Sequence, residues 1–131
     1  MNDNRPDFIK NLDEVHEEAH YLDKPSMRFR TRRRLGKATG AERIGVNYCR
    51  LKKGQISSTF HTHSLEEEFF LLLEGQATLR WGKEQYSLGP GDAVAVLPGG
   101  PAHQMRNDAE EDCIFLAIGT RDTQDEVSYL E

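Results

Sequence analysis

The stretch Gly54-Gln55-Ile56-Ser57-Ser58-Thr59-Phe60-His61-Thr62-His63, followed by Glu68 and Gly75, decides the fold together with a later one, Pro98-Gly99-Gly100-Pro101-Ala102-His103, which closes at Asn107. Side chains on a strand alternate faces, so His61 and His63 point the same way and can hold one ion between them. From a helix surface they could not. Glu68 opens the apolar run Phe69-Phe70-Leu71-Leu72-Leu73 just past a short polar connection, and His103 follows a Pro/Gly-rich loop that turns the chain before pairing resumes. His61, His63, Glu68 and His103 are therefore the candidate metal ligands. Three imidazoles and a carboxylate suit one divalent transition metal ion (iron, manganese, nickel, cobalt, copper or zinc) and disfavour calcium or magnesium. Left without an ion, the same four groups would be costly in an apolar interior.

Outward from these stretches the chain is punctuated into short β-rich runs at 44–51, 57–63, 67–73, 77–81, 85–88, 93–97, 103–106 and 113–118. Turn residues separate them at Lys53-Gly54, Glu74-Gly75, Gly82-Lys83, Gly89-Pro90-Gly91 and Asn107-Asp108. This pattern predicts an all-β sandwich or barrel, without choosing between them. In the run from Glu67 to Glu74, placing Glu68 inside also sends Phe70 and Leu72 inside and turns Phe69, Leu71 and Leu73 out. Such an apolar outer row calls for cover, by the N-terminal arm or by a second copy, and a homodimer is expected.

The spacing H-x-H, four residues, Glu, six residues, Gly, then P-x-G-x-x-H-x-x-x-N, resembles the two motifs of the cupins. His61, His63, Glu68 and Gly75 match the first, and Pro98, Gly100, His103 and Asn107 match the second. The resemblance implies a double-stranded β-helix, the cupin jelly-roll barrel, with the metal at the four candidate ligands. Two spacings depart from the pattern: six residues rather than five lie between Gly54 and His61, and Gly91 to Pro98 is one residue longer. Single extra residues in strands are accommodated as bulges. The stretch 33–40 and the ending Ile118-Gly119-Thr120-Arg121 with Asp125 and Tyr129 are similar to a bacterial subgroup of small stand-alone cupins, some of which carry a sugar-phosphate isomerase label.

Three segments follow from this reading: an N-terminal arm at 1–40, a barrel at 41–119 and a C-terminal tail at 120–131. Within the arm, 12–22 is expected to form a short charged helix ended by Lys24-Pro25. The basic run Arg28-Phe29-Arg30-Thr31-Arg32-Arg33-Arg34 reads as an extended strand with Arg28, Arg30, Arg32 and Arg34 on one face, pairing along a barrel edge with its arginines solvated or bridging to acidic neighbours. It lacks the helix-turn-helix or aromatic platform of a nucleic-acid site. His16-Glu17-Glu18-Ala19-His20 matches the H-E-x-x-H zinc protease signature, but the helix available to it is short and no third ligand follows, so it reads as a solvated helix face.

The 131 residues suffice for one ordinary domain, and the net charge of −5 argues against general binding to nucleic acid or anionic membranes. No apolar run approaches the roughly 20 residues of a membrane span, and the start Met1-Asn2-Asp3-Asn4 has no apolar signal region, so a cytoplasmic location is expected. Cys49 and Cys113, far apart and each within a strand, read as buried free thiols.

Four protein ligands leave a metal ion able to accept a substrate, which separates reactive from structural sites. A small metabolite with two adjacent oxygens could chelate there, for isomerase or lyase chemistry or, with iron or manganese, as a dioxygenase. No catalytic base is legible: Met105 and Asn107 share the face of His103, Ser57 and Thr59 that of His61, and none is strongly basic. Tyr48, Arg50 and Gln104 are further candidates for pocket polar groups. No Gly-rich phosphate cradle opens a helix, although arginines of the arm could supply that grip. The alternative is a non-catalytic module that binds a small molecule, a sugar or a carboxylate, since fold alone does not decide between the two. A purely structural or storage role would need a dry barrel without an accessible pocket.

Overall fold

Turn residues cut the chain into strands too short to bury a face alone, and antiparallel pairing between distant strands resolves this. A computed structural model describes residues 4–20 and 28–130. Among these, the strands are β1 (Glu17–Ala19), β2 (Thr31–Arg34), β3 (Ile44–Leu51), β4 (His61–His63), β5 (Glu68–Glu74), β6 (Ala77–Trp81), β7 (Glu84–Leu88), β8 (Ala93–Val96), β9 (His103–Arg106), β10 (Cys113–Thr120) and β11 (Val127–Tyr129). One α-helix, α1 (Leu35–Thr39), follows β2. One sheet runs β1-β2-β3-β10-β5-β8 and the other β11-β4-β9-β6-β7. This all-β arrangement of two antiparallel sheets is the double-stranded β-helix, with an arm that carries a short helix.

Alternation along the strands fills the space between the sheets. Cys49 and Leu51 of β3, Phe70 and Leu72 of β5, Leu79 of β6, Met105 of β9, and Cys113 and Phe115 of β10 form one buried cluster. Phe70 and Leu72 point in while Phe69 and Leu73 remain exposed, as the alternation requires. Burial of each large apolar side chain contributes about 1.5–3 kcal/mol. At Gly75 the φ of +76° and the approach to β10 leave no room for a side chain, since a Cβ would lie 2.4 Å from the Asp112 carbonyl oxygen. The motif glycine is thus a backbone requirement of the β5–β6 turn.

Two local expectations are corrected. The helix expected at 12–22 is absent over its described part, 12–20: Leu12–Glu14 is a single 3-10 turn, with Asn11 Oδ1 accepting from the Asp13 N–H at 2.9 Å, and β1 follows. The physical reason is the basic strand beside it. Glu18 lies opposite Arg32 in the register and reaches Arg34 at 2.9 Å, while Glu17 pairs with Arg50 at 3.1 Å, so cross-strand charge outweighs a weak helical preference. Residues 21–22 and Lys24-Pro25 lie outside the described residues. The helix of the arm is α1 instead, ended by Gly40 at φ +88°.

The run at 57–63 is a strand only at His61–His63. Upstream, the Ser57 hydroxyl accepts the Met105 N–H at 2.9 Å, so a side chain takes a ladder position. The basic run does pair along an edge, β2 lying between β1 and β3. Its arginines are not all solvated or bridged, however, because Arg30 is only 9% exposed. The tail is also drawn in: β11 pairs with β4, setting Val127 opposite His63 and Tyr129 opposite His61.

Cys49 and Cys113 are free and fully buried. Burial, with Cys49 beside it, pushes the Cys113 thiol up from 9.0 to about 12. A thiol-labelling reagent at pH 8 should therefore react with neither cysteine in the folded protein and with both in denaturant. Because the unfolded thiol ionises first, its contribution to stability is present below about pH 9 and declines as pH rises further. Rapid labelling of the native protein would contradict this packing.

Candidate metal centre

The register of β4 and β9 places His61 opposite His103, and strand alternation brings His63 to the same face. Glu68 begins β5 on the facing sheet. The three imidazole Nε2 atoms converge on one oxygen, Glu68 Oε1, at 2.7 Å from His103, 3.3 Å from His63 and 3.8 Å from His61. Donors sharing one ion at 2.0–2.2 Å sit about 3 Å apart when adjacent; His61, His63 and Glu68 lie within 4.8 Å of one another and fit a common metal ion, and His103 joins them through its contact with Glu68.

Each ring is held from behind. The Nδ1–H of His61 donates to the Thr59 carbonyl at 2.7 Å, that of His103 to the Pro101 carbonyl at 3.2 Å, and that of His63 to Asp125 Oδ2 at 2.8 Å. Carbonyls only accept, as does an ionised carboxylate, so these partners place the proton on Nδ1 and leave the Nε2 lone pair facing Glu68. Three lone pairs and a carboxylate aimed at one point repel one another unless a proton or a cation lies between them. The donor set and its orientation fit a divalent transition ion.

Burial alone would push the Glu68 carboxyl up; a proton on Nε2 of His103 or His61, lying between ring and carboxylate, would supply the hydrogen bond and the charge that hold it well below the usual carboxylate range, and a cation at the same point would do the same. Asp125 is treated similarly. Burial opposes its ionisation, while the His63 bond and the Leu65 and Glu66 N–H groups, at 2.7 and 2.9 Å from Oδ1, keep it ionised. His63, Glu66 and Asp125 form a second close group of possible ligands, but these bonds already commit Asp125 to orienting His63 and the 64–66 turn.

The quartet opens into a cavity of about 330 Å³ whose wall includes His20, Arg30, Arg32, Glu66 and Tyr129. A larger surface recess of about 570 Å³, lined by Gln76, Ser87 and Asp108, shares no residue with it. Burial, with Arg30 and Arg32 beside it, pushes His20 down to about 2, so this imidazole is neutral at physiological pH.

A cupin domain model matches residues 47–119, more than half the chain and all four converging side chains. The chain belongs to the cupin family. A solved structure described as a sugar phosphate isomerase from a cupin superfamily, from Silicibacter pomeroyi, is 31% identical, with a TM-score of 0.85 over 92% of this chain and 80% of that one. A second, from Acidithiobacillus ferrooxidans and provisionally described as a sugar phosphate isomerase, is 30% identical, with a TM-score of 0.83 over 94% and 81%. The polyketide cyclase of Streptomyces resistomycificus shares the cupin fold at 21% identity, with a TM-score of 0.77 over 94% and 84%. No curated protein matches the chain.

Of the residues singled out from the cupin motifs, His61, His63, Glu68 and His103 come together in this structure. Ser57 and Met105 line the same cavity. Asn107 does not: fully buried, it donates to the Leu51 and Glu111 carbonyls at 2.9 and 2.8 Å and ties a turn. Gln104 likewise donates to the Ser58 carbonyl, and Arg50 pairs with Glu17 and Asp112. The H-E-x-x-H pair is split between an exposed His16 and a buried His20, so its reading as a solvated helix face is corrected for His20. No local sequence pattern marks His20 or Glu66 as pocket residues, yet both line the cavity. Asp125 and Tyr129 entered only through the resemblance, because their places depend on the pairing of β11 with β4.

Removing the Asp125 carboxylate should leave His63 free to rotate. Metal titration of Asp125→Ala is expected to show affinity for added Mn²⁺ or Zn²⁺ reduced about 10–100-fold with unchanged circular dichroism. An unaltered affinity would mean that Asp125 serves only the 64–66 turn.

Proposed function

We propose that this cupin is a metal-dependent enzyme that acts on a small oxygenated metabolite, with His61, His63, Glu68 and His103 holding one divalent transition ion. The observation that carries this reading is the pinning of all three Nδ1 atoms, which leaves three Nε2 lone pairs aimed at Glu68 inside an open cavity. Its volume of about 330 Å³ suits a metabolite of a few carbons. A bound ion of this class supplies Lewis acidity toward a carbonyl or hydroxyl oxygen and, for iron or manganese, access to dioxygen. Isomerase or lyase chemistry is supported over dioxygenase chemistry by the descriptions of the two relatives at 30% and 31% identity.

The chain's own residues account for the remaining requirements. Glu66 is the wall carboxylate outside the quartet; its Oε2 accepts the Asp122 N–H at 3.0 Å, its Oε1 lies 3.7 Å from His63 Nδ1, and we assign to it the role of holding a proton. Neutral His20 is too weak a base for that role and serves as a polar wall. Phe70 and Met105 close the cavity floor against water.

Elemental analysis of the purified protein beside His61→Ala and His16→Ala is the first test. About one transition ion per chain is expected in the wild type and in His16→Ala, and none in His61→Ala. A wild type that takes up no transition ion overturns the enzyme reading, and a loaded protein that binds sugars or carboxylates without turnover would leave a binding module.

We further propose a homodimer formed through the outer face of β5. Phe69 and Leu73 are 40% and 38% exposed with the described part of the arm in place, and Ala93 and Ala95 of β8 extend the same face. Light scattering is expected to give twice the chain mass for the wild type and the single-chain mass for Phe69→Asp. A monomeric wild type would exclude this assembly. The two free buried thiols support a reducing compartment, the cytoplasm. Among the described residues no helix is long and apolar enough to cross a membrane.

A further inference from the structure

The strand that brings the arm to the barrel places several positive charges where the metal site does not use them. β2 pairs with β3 so that Arg32 lies opposite Cys49, whose side chain is in the core, and Arg34 opposite Asn47. Arg32 and Arg34 therefore face inward, and Arg33 faces out, where its Nη1 donates to the Leu12 and Val15 carbonyls. One step before the strand, the Arg30 N–H donates to the Ile56 carbonyl at 3.0 Å and its own carbonyl accepts the His20 N–H at 3.0 Å. The backbone of Arg30 is thus fixed on both sides.

The side chain of Arg30 is 91% buried, from its 9% exposure, and lines the cavity of the quartet. Among the described residues its Nε has no hydrogen-bond partner and no carboxylate lies within ion-pair distance of its guanidinium. The Phe115 ring lies 5.9 Å from the guanidinium carbon, a stabilising cation–π contact. Arg32 lines the same cavity, its Nε likewise without a hydrogen bond and 3.7 Å from Glu18, whose carboxylate lies at 2.9 Å from Arg34. Burial and the neighbouring charges of Arg30 and Arg34 both push the Arg32 pKa down.

A buried guanidinium without a counter-charge is strongly unfavourable, and a cation–π contact offsets only about 0.5–2 kcal/mol of that cost. Arg32, only partly balanced by Glu18, stands on the same cavity wall and repels Arg30 as well. The missing component is an anion, and a planar guanidinium favours oxyanions, which it binds through two parallel hydrogen bonds. The lining carries Arg30 and Arg32 against Glu66 and Glu68, so a divalent ion on the quartet would leave it two charges positive. That balance suits a substrate with an anionic group and neutral oxygens for the metal.

We propose that Arg30 and Arg32 form an oxyanion subsite, which takes the phosphate or carboxylate group of the substrate beside the metal quartet. The assignment of this anion to a substrate rests on the enzyme reading above; the existence of the subsite does not. The test is calorimetric titration of the full-length protein, stripped of metal with a chelator, with inorganic phosphate and separately with malonate. At least one of the two should bind, and Arg30→Gln or Arg32→Gln should weaken it about tenfold or more, the loss expected for a charge-assisted contact. Arg106→Gln, which alters an exposed pair with Asp108, should leave it unchanged. Preference for phosphate points to a phosphate ester and preference for malonate to a carboxylic acid, and both support the subsite.

Thermal unfolding provides a second readout. Without anion, Arg30→Met should raise the melting temperature, because an unpaired buried charge is removed, and the variant should no longer be stabilised by the anion. Absence of binding by both anions in the folded wild type, or equal affinity in Arg30→Gln and Arg32→Gln, overturns the subsite. Anion binding that persists in a protein unable to take up metal would sink the enzyme reading alone.

Discussion

Three imidazole lone pairs directed at one carboxylate oxygen are the constraint around which the rest of the barrel is arranged. Their orientation does not come from the strands alone. Strand geometry brings His61, His63 and His103 to one face, but each ring could still turn about its side-chain bonds. Rotation is stopped by three separate irregular segments: the bend before β4 through the Thr59 carbonyl, the Pro/Gly loop before β9 through the Pro101 carbonyl, and the chain between β10 and β11 through Asp125. A cation would convert this costly convergence into a stabilising one, and each pinned ring would lose little further freedom when it arrived.

The same electrostatic logic divides the cavity into two regions. Around Glu68 the protein concentrates electron pairs; on the β2 side it concentrates guanidinium charge. Glu18 partly balances Arg32 and Arg34, yet it does not reach Arg30. Were the wall merely a structural edge, an apolar residue at Arg30 over Phe115 would pack at lower cost. A ligand with a charged end and a chelating end satisfies both regions at once, and its affinity would then come from groups already held in place.

Strands and quartet were legible because their signals are local. Period-two alternation and turn glycines define β3, β6 and β9, and two blocks of motif contain all four converging residues. Phe70 and Leu72 followed from the parity of Glu68. His20 and the inward aim of Arg30 were not legible, since their roles depend on the pairing of β1 and β2 with β3, and Glu66 was not because residues 122–125 fix it from far along the chain; no local pattern states either. The helix expected at 12–22 was lost for the same reason: its glutamates are used by β2 and β3 as counter-charges, a tertiary demand that the charged segment does not reveal.

The division between what is common to cupins and what is particular to this chain falls at the ends of the barrel. The family match covers residues 47–119 and includes every member of the quartet. His20, Arg30 and Arg32 precede it, and Asp125, Val127 and Tyr129 follow it. Two short flanking segments, attached by β1, β2 and β11, therefore build much of the wall that a substrate would meet. The polyketide cyclase shares the fold at 21% identity, and a shared fold leaves the side chains of these flanks free to differ. The relatives at 30% and 31% identity align over 92–94% of this chain, a span too long to omit both the arm and the tail. The polyketide cyclase aligns over 94% of this chain as well, so these likenesses carry the fold into both flanks, and the chemistry of the wall rests on the flanking side chains themselves.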